Sequence, residues 1–413
     1  YNCIIQVMLK GTTKLKGDKS ISHRILILAS LAKGNSEIYN LSECEDVKMT
    51  LEILKKCNIK ISKINNKFII KGNNLSSKSK NFYCGNSGST ARFMLGFLPF
   101  NGISGTLYGD ESLSKRPMRR ITNPLKKMGL NIIDDNDNLP ISFKSSSAKS
   151  INYSLEIPSA QIKTSMIFAA LTSEKRSYIN DSFKTRDHTE KILQFLGSSK
   201  GYNSFNYSGF TYRVPGDISN ASFIISAALL IPKSNITIKN ILFNDTRTGY
   251  IKILKKMGAK IKVFNKNKLQ NEVIADINIM HSPNLRGITL DKKMVVSMID
   301  EIPVFALVAS FSKGQTMLKD AEELRYKESD RIKAIVINLK KCGTDIIEKQ
   351  DGFVINPSKM MYNTSINHFN DHRIAMTFEI LKLILNKKID GEYKKLVNTS
   401  FTDFYNILEG LNE

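Results

Sequence analysis

Residues 252–259 read Lys-Ile-Leu-Lys-Lys-Met-Gly-Ala, an apolar stripe at helical spacing that stops at a glycine. The theme recurs along the chain: Leu-Glu-Ile-Leu-Lys-Lys-Cys-Asn-Ile at 51–59, Pro-Leu-Lys-Lys-Met-Gly-Leu at 124–130 and Lys-Ile-Leu-Gln-Phe-Leu-Gly at 191–197. It returns as Ile-Asn-Leu-Lys-Lys-Cys-Gly at 337–343 and, more weakly, as Asn-Ile-Leu-Glu-Gly-Leu at 406–411. Each predicts an amphipathic helix with one wet face, and the four terminal glycines stand where a helix needs a left-handed residue to end. Alternating segments such as Lys260-Ile261-Lys262-Val263 follow several copies and predict strands.

A second helix type interleaves with the first and is apolar on all sides, which predicts burial. Its copies are 25–31, 93–98, 165–171, 223–231, 304–311 and 374–385. Before each lies a polar cluster: 17–24, 85–92, 158–164, 216–221, 299–303 and 370–373. The chain therefore reads as six copies of one α/β unit, recurring roughly every 55–85 residues, too long and irregular for a solenoid. Six copies divide into three plus three. A chain of 413 residues also exceeds one comfortable hydrophobic core, so two related domains are expected. The crossover is placed near Leu230, giving one domain over 15–230 and the other over 1–14 plus 231–413.

Free N–H groups and a positive dipole end make a helix N-terminus favourable to anions. Several clusters add Lys, Arg or His, so the pattern points to a small, multiply negative substrate, although Ser, Asp or Asn at such places also serve as plain caps. Two more charged runs open surface helices: Ser-Lys-Arg-Pro-Met-Arg-Arg at 114–120 and Leu-Arg-Tyr-Lys-Glu-Ser-Asp-Arg at 324–331. In the second, the spacing of Lys327 and Arg331 puts both on one helix face.

Several function classes fall away. No apolar run is long enough to span a bilayer. The net charge of +23 comes from 48 lysines against 13 arginines, spread through every region without a basic stripe. It reads as a lysine-biased surface rather than a nucleic-acid groove, and it gives an arginine inside a polar cluster more weight. Gly17-Asp18-Lys19-Ser20 is not a phosphate loop, because the glycine and lysine spacing is wrong. No His, Cys and carboxylate set has metal spacing. Cysteines 3, 44, 57, 84 and 342 are odd in number and read as reduced thiols of a cytoplasmic protein.

Five motifs occur in order: Gly17-Asp18-Lys19-Ser20-Ile21-Ser22-His23-Arg24, Gly85-Asn86-Ser87-Gly88, Arg116-Pro117-Met118, Lys327-Glu328-Ser329-Asp330-Arg331 and Asp371-His372-Arg373-Ile374-Ala375-Met376. Together they resemble the EPSP synthase (3-phosphoshikimate 1-carboxyvinyltransferase) family of enolpyruvyl transferases, over essentially the whole chain. The resemblance implies an α/β fold of two domains with three repeated units each and an N-terminal strand that returns to the C-terminal domain. It also implies transfer of the enolpyruvyl group of phosphoenolpyruvate to the 5-hydroxyl of shikimate 3-phosphate, in domains that close on the substrate. Neither metal nor organic cofactor is implied, and the chain is expected to act as a monomer.

Carried over by position, the resemblance makes Lys19, Asp300 and Glu328 the proton-transferring groups. Lys19, Ser20, Arg24, Ser159, Ala160, Gln161, Thr185, Asp300 and Lys327 become ligands of shikimate 3-phosphate, with Arg24 on its carboxylate and Arg186 a further cation. Lys19, Gly88, Arg116, Gln161, Arg331 and Arg373 form the phosphoenolpyruvate set, and His372 stands beside them. Gly88 in place of alanine leaves room for glyphosate to compete with phosphoenolpyruvate. Three positions depart from some members: Ala160 where serine occurs, Ser89 where threonine is usual, and Thr399 where a phosphoenolpyruvate-binding lysine occurs. The sister reaction on a UDP-linked amino sugar is the nearest alternative. A basic nucleic-acid-binding protein is the alternative from another class.

Overall fold

A computed structural model describes residues 7–134, 137–198, 200–361, 366–387, 389 and 391–412. It separates into two compact units. The N-unit comprises Gly17–Pro215 with Lys268–Glu272; the C-unit comprises the chain up to Lys16, Gly216–Asn267 and the chain from Val273 onward. The crossover thus falls at 215/216, ahead of the fourth buried helix, and not near Leu230. That helix settles the matter by burying its apolar surface against the two later buried helices of the C-unit. Cys3 lies outside the described residues.

The N-unit holds α1 (Lys19–Leu31), α2 (Glu45–Lys56), α3 (Gly88–Phe97), the short α4 (Glu111–Ser114), α5 (Arg119–Lys127), α6 (Ala160–Ala170) and α7 (His188–Phe195). Its buried trio is α1, α3 and α6. Gly96 of α3 lies so close to the Ser165 carbonyl of α6 that a side chain there would overlap it. Phe168 meets Phe93 edge-on at 5.8 Å and Phe97 at 6.5 Å. Each such ring contributes roughly 1.5–3 kcal/mol by burial. The contact fixes the first turns of α3 and α6, which carry Gly88 and Gln161, against each other.

The C-unit holds α8 (Ile218–Leu230), α9 (Gly249–Lys256), α10 (Lys292–Ser297), α11 (Ile302–Ser310), α12 (Arg331–Lys341), α13 (His372–Ile384), α14 (Lys394–Val397) and α15 (Phe404–Leu411). Its buried trio is α8, α11 and α13, packed on one another.

Four four-stranded sheets share one order. In each, the first strand runs parallel to the second and the third antiparallel to it. In two of them the parallel strand leads into its own unit's buried helix: Asn81–Tyr83 directly before α3, and Thr289–Leu290 ahead of α11 with the short α10 between. In the other two the strands are exchanged. Lys10–Lys14 pairs with Asn235–Leu242 in the C-unit, and Thr211–Arg213 pairs with Asn35–Tyr39 in the N-unit. The exchange accompanies the crossings at 16/17 and 215/216. The third repeat is reduced to a two-stranded sheet, Asn152–Ser154 with Tyr178–Asn180. The sixth has helices α13 to α15 and, among the described residues, no strand of its own.

The surface helices end as their sequence dictates. Gly129, Gly197, Gly258 and Gly343 are all left-handed, with φ between +82° and +102°, and Asn58 takes the same conformation after α2. Lys-Lys pairs at 55–56, 126–127, 255–256 and 340–341 fall in the last turns of α2, α5, α9 and α12. There the negative end of the helix dipole favours them, so part of the lysine excess has a local structural cause.

Candidate active site

The polar clusters do not precede the buried helices but form their first turns. Asp18 caps α1, Ser87 caps α3, Ser159 caps α6, Asp217 caps α8 and Asp371 caps α13, each accepting a backbone N–H from the second or third residue of the helix. Capping and ligand presentation are therefore one arrangement. The cap ends the helix, and the residues of the next turn are held in fixed directions.

In the N-unit, Lys19 donates to Asp46 Oδ2 at 2.8 Å, both largely buried. Ser20 follows it, and its hydroxyl accepts from Arg186 Nη1 at 3.3 Å. Arg24 is 2% exposed. Its Nε donates to Thr189 (2.8 Å), Nη2 to Thr164 (2.9 Å) and Nη1 to the Ser20 carbonyl (2.7 Å), and the guanidinium lies over the Phe93 ring. Arg24 thus ties α1 to α6 and α7, while the half-buried Arg186 is the cation beside the Ser20 hydroxyl. His23 donates to or accepts from Thr50, which meets Thr90 at 2.8 Å; Thr90 in turn donates to Ser87. Burial, with Lys19 and Arg24 nearby, holds the His23 pKa well below its usual value, so it stays neutral.

Gly88 opens α3 between two guanidinium groups. A methyl group there would run into Arg92 Nη1 and lie 3.4 Å from Arg116 Nη1. Arg116 is fixed by the Asn86 carbonyl and side chain and by Ser112. Gln161 receives Arg92 Nη1 at 3.0 Å and donates to Ser89 Oγ at 3.1 Å. Ser159 and Ala160 start α6 beside it. Thr185 is buried, and both its hydroxyl and its N–H donate to Asp181, which also pairs with Lys163 at 2.7 Å. Lys163 reaches Glu190 as well, at 2.6 Å.

Asp187, His188 and Glu272 bring three potential ligand atoms within 4.8 Å of one another, a cluster that local spacing could not reveal. His188 meets Glu272 at 2.6 Å, and Lys191 lies 3.4 Å from both carboxylates, so an ammonium already supplies positive charge there.

In the C-unit the centre is Arg331, 1% exposed. Its Nε donates to Asp371 at 2.8 Å and its Nη2 to Glu328 at 2.6 Å. Burial opposes the charge, but Asp371 and Glu328 more than compensate and hold the guanidinium pKa above its usual value. Burial likewise disfavours the Asp371 carboxylate, yet Arg331 keeps its pKa below the ordinary range. Asp300 lies 3.6 Å from Arg331 Nη1 and 3.8 Å from Arg373 Nη2, at the edge of ion-pair distance and too far for hydrogen bonds. Among the described residues, Nη1 of Arg331 and Nη1 of Arg373 are buried without a hydrogen-bond partner.

Lys327 does not share a helix face with Arg331. The Asp330 side chain caps Lys333 N–H and starts α12 at Arg331, leaving Lys327 extended at the end of the turn Glu322–Tyr326. It sits 3.7 Å from Glu323, and burial lowers its pKa against the pull of Glu323 and Asp300. Thr399 turns its hydroxyl onto the Leu396 carbonyl at 2.7 Å.

The sequence reading missed Asp46, Arg92 and Asp181, which hold Lys19, Gln161 and Thr185. Asp46 and Asp181 lie in no arginine cluster, and their importance comes from partners 4 to 27 residues away.

The arrangement in each unit is a set of held cations at helix starts, suited to phosphate and carboxylate groups. The comparisons with known proteins agree. Residues 5–408 match the EPSP synthase (3-phosphoshikimate 1-carboxyvinyltransferase) family. The 3-phosphoshikimate 1-carboxyvinyltransferase of Petrotoga mobilis is 40% identical, covering 96% of this chain and 95% of its own; that of Oceanobacillus iheyensis is 38% identical, covering 98% and 97%. The EPSP synthase structure from Acinetobacter baumannii superposes with a TM-score of 0.84 at 33% identity, covering 98% of this chain and 96% of its own. The enolpyruvyl transferase NikO from Streptomyces tendae shares the fold, with a TM-score of 0.72 at 14% identity over 98% of this chain and 95% of its own. On this evidence the chain belongs to the EPSP synthase family.

Proposed function

We infer that the chain, as a member of this family, transfers the enolpyruvyl group of phosphoenolpyruvate to the 5-hydroxyl of shikimate 3-phosphate and releases phosphate. In the addition step the 5-hydroxyl oxygen bonds to C2 of phosphoenolpyruvate, the hydroxyl loses its proton and the methylene carbon gains one. Elimination removes a proton from that carbon and expels phosphate. Asp300 is assigned as base at the hydroxyl. Lys19 and Glu328 are the candidates for proton exchange at the carbon, each having first to leave its ion pair with Asp46 or Arg331.

The observation that carries the reading is the pair of buried Nη1 groups on Arg331 and Arg373 beside Asp300, which a carboxylate would satisfy. Gly88, Arg116 and Gln161, with Lys19, are the proposed phosphate-side ligands. Ser20, Ser159, Thr185, Arg186 and Lys327 are assigned to shikimate 3-phosphate. Arg24 is retained there chiefly as the anchor of Ser20, and Ala160 through its backbone. No described helix is long and apolar enough to cross a membrane. Cys44, Cys57 and Cys84 are buried free thiols, which supports a reducing, cytoplasmic setting. One copy carries every assigned ligand, so we propose a monomer.

The test is phosphate release by the purified protein. It is expected to require both shikimate 3-phosphate and phosphoenolpyruvate; turnover with a UDP-amino sugar in place of the shikimate ester would overturn the assignment.

A further inference from the structure

The fourth polar cluster, Gly216-Asp217-Ile218-Ser219-Asn220-Ala221, supplies none of the ligands assigned above, yet it is among the most buried polar groupings of the C-unit. Asp217 caps α8, accepting the N–H of Ser219 at 2.8 Å and of Asn220 at 3.1 Å. The Ser219 hydroxyl accepts from Arg247 Nη2 at 2.9 Å and donates to Glu301 Oε1 in a short hydrogen bond. Arg247 also lies 3.9 Å from Asp217. All four side chains belong to residues at most 3% exposed. Further along α8, Ser226 meets the buried Tyr250 hydroxyl at 2.5 Å.

Glu301 is the residue after Asp300. Both belong to one tight turn, Ile299–Glu301, closed by the Glu301 N–H to the Met298 carbonyl at 2.9 Å. The helix that follows, α11, has no side-chain cap of its own, unlike the other five buried helices. The Asp300 carboxylate lies 3.6 Å from Arg331 Nη1 and 3.8 Å from Arg373 Nη2, beyond hydrogen-bond distance of either. The buried end of the turn is anchored through Glu301, held by Ser219, which Arg247 holds in turn.

We propose that Glu301, Ser219 and Arg247 are positioning residues for Asp300: they lock the turn to the start of α8 and so set where the Asp300 carboxylate points. The inference rests on the reading of Asp300 as the base at the 5-hydroxyl. A misplacement of about 1 Å at such a group costs on the order of a hundredfold in rate. The three residues themselves are too buried to serve as ligands by their present contacts, so their loss acts on kcat rather than on KM.

The experiment is a double-mutant cycle read in kcat and in both KM values, with enough enzyme to measure the residual rate of Asp300→Ala. Ser219→Ala and Glu301→Ala are expected to lower kcat roughly ten- to hundredfold with each KM within about twofold, while Glu301→Gln, which keeps an oxygen for Ser219, recovers kcat to within about threefold. In the Asp300→Ala background, Ser219→Ala should change kcat by less than about twofold. An equal loss in both backgrounds means a structural effect unrelated to Asp300 and overturns the proposal, as does a rise in KM at unchanged kcat. Full activity of Ser219→Ala and Glu301→Ala, with Asp300→Ala inactive, sinks the positioning role and leaves the base assignment standing. Near-full turnover of Asp300→Ala sinks the base assignment and the positioning role together. If Glu301→Ala fails to fold, Ser219→Ala and Glu301→Gln still decide the matter.

Discussion

Replacing Gly88 with alanine tests the proposed phosphate pocket with a single methyl group. Gly88 is the first residue of α3 and is absent from the positive-φ residues, so its backbone accepts alanine without strain. By helix propensity the change is worth up to about 1 kcal/mol in favour of the fold. The obstacle is the end of a flexible side chain. The methyl would run into Arg92 Nη1 and come to 3.5 Å from its Cζ, with Arg116 Nη1 at 3.4 Å. Arg92 has to swing away and lose its 3.0 Å bond to Gln161. A charge-assisted hydrogen bond of this kind is worth about 1.5–3 kcal/mol, which converts to roughly ten- to a hundredfold in affinity. Because Gly88, Arg116 and Gln161 are assigned to phosphoenolpyruvate, the loss is expected in its KM. The KM of shikimate 3-phosphate should stay within about threefold, and inhibition by glyphosate should weaken by at least the same factor. Initial rates of phosphate release, with each substrate varied in turn at a saturating level of the other and with glyphosate added, measure all three, and a thermal melt accompanies them. A wild-type KM for phosphoenolpyruvate would show that Arg92 and Gln161 do not shape that pocket. A melting temperature several degrees lower would show that the methyl strains the backbone instead.

Asp300→Ala and Lys19→Ala are each expected to remove most turnover while the melting temperature holds; near-full activity in either removes that residue from the proton-transfer scheme. Asp371→Asn keeps the cap of α13 but leaves Arg331 with less compensating charge, at a cost of about 3–5 kcal/mol at neutral pH, measurable by urea unfolding. The Asp371 pKa is depressed in the folded state, so its contribution is present above about pH 4 and lost as the pH falls through the folded value; the variant should show a shallower acid limb. His23 titrates the other way in charge but with the same sign in stability. Its folded pKa lies well below 6.5, so the unfolded chain takes up the proton first and stability falls as the pH drops below that value. His23→Asn should remove close to one proton, about 1.4 kcal/mol per pH unit, from that slope; an unchanged slope would show that His23 is not held neutral.

Periodicity was enough to find all twelve repeated helices, because a stripe at 3.6-residue spacing and a left-handed terminator are local properties of the chain. It placed each buried helix too late by up to about two turns, since polar residues such as Lys19-Ser20 in α1 and Gly88-Ser89-Thr90 in α3 carry no apolar signal yet are fully helical. Once Asp18 and Ser87 are recognised as caps, the local chemistry of those turns is as legible as the apolar runs. The crossover was misjudged for a different reason: α8 is equally apolar on all sides, so nothing in its own sequence says which pair of helices will cover it.

The ligand candidates came from the resemblance: motif order ties Lys19, Arg116, Arg331 and Arg373 to one family, and Asp300 follows by position alone. How each is held was not. Asp46 beneath Lys19, Asp181 beneath Thr185, Asp371 against Arg331 and Glu301 behind Asp300 depend on pairings across 4 to 40 residues of chain or on the opposite side of one turn. The amino-acid sequence alone determined where helices begin to be buried, how they end and which charges sit at their starts, because caps, glycines and periodicity act within a few residues. Only the tertiary structure decided the strand exchange, the boundary at 215/216 and the partner of each charge. A buried ion pair or a parallel strand pairing is selected by packing between segments far apart in the chain, and the sequence of neither segment records the other.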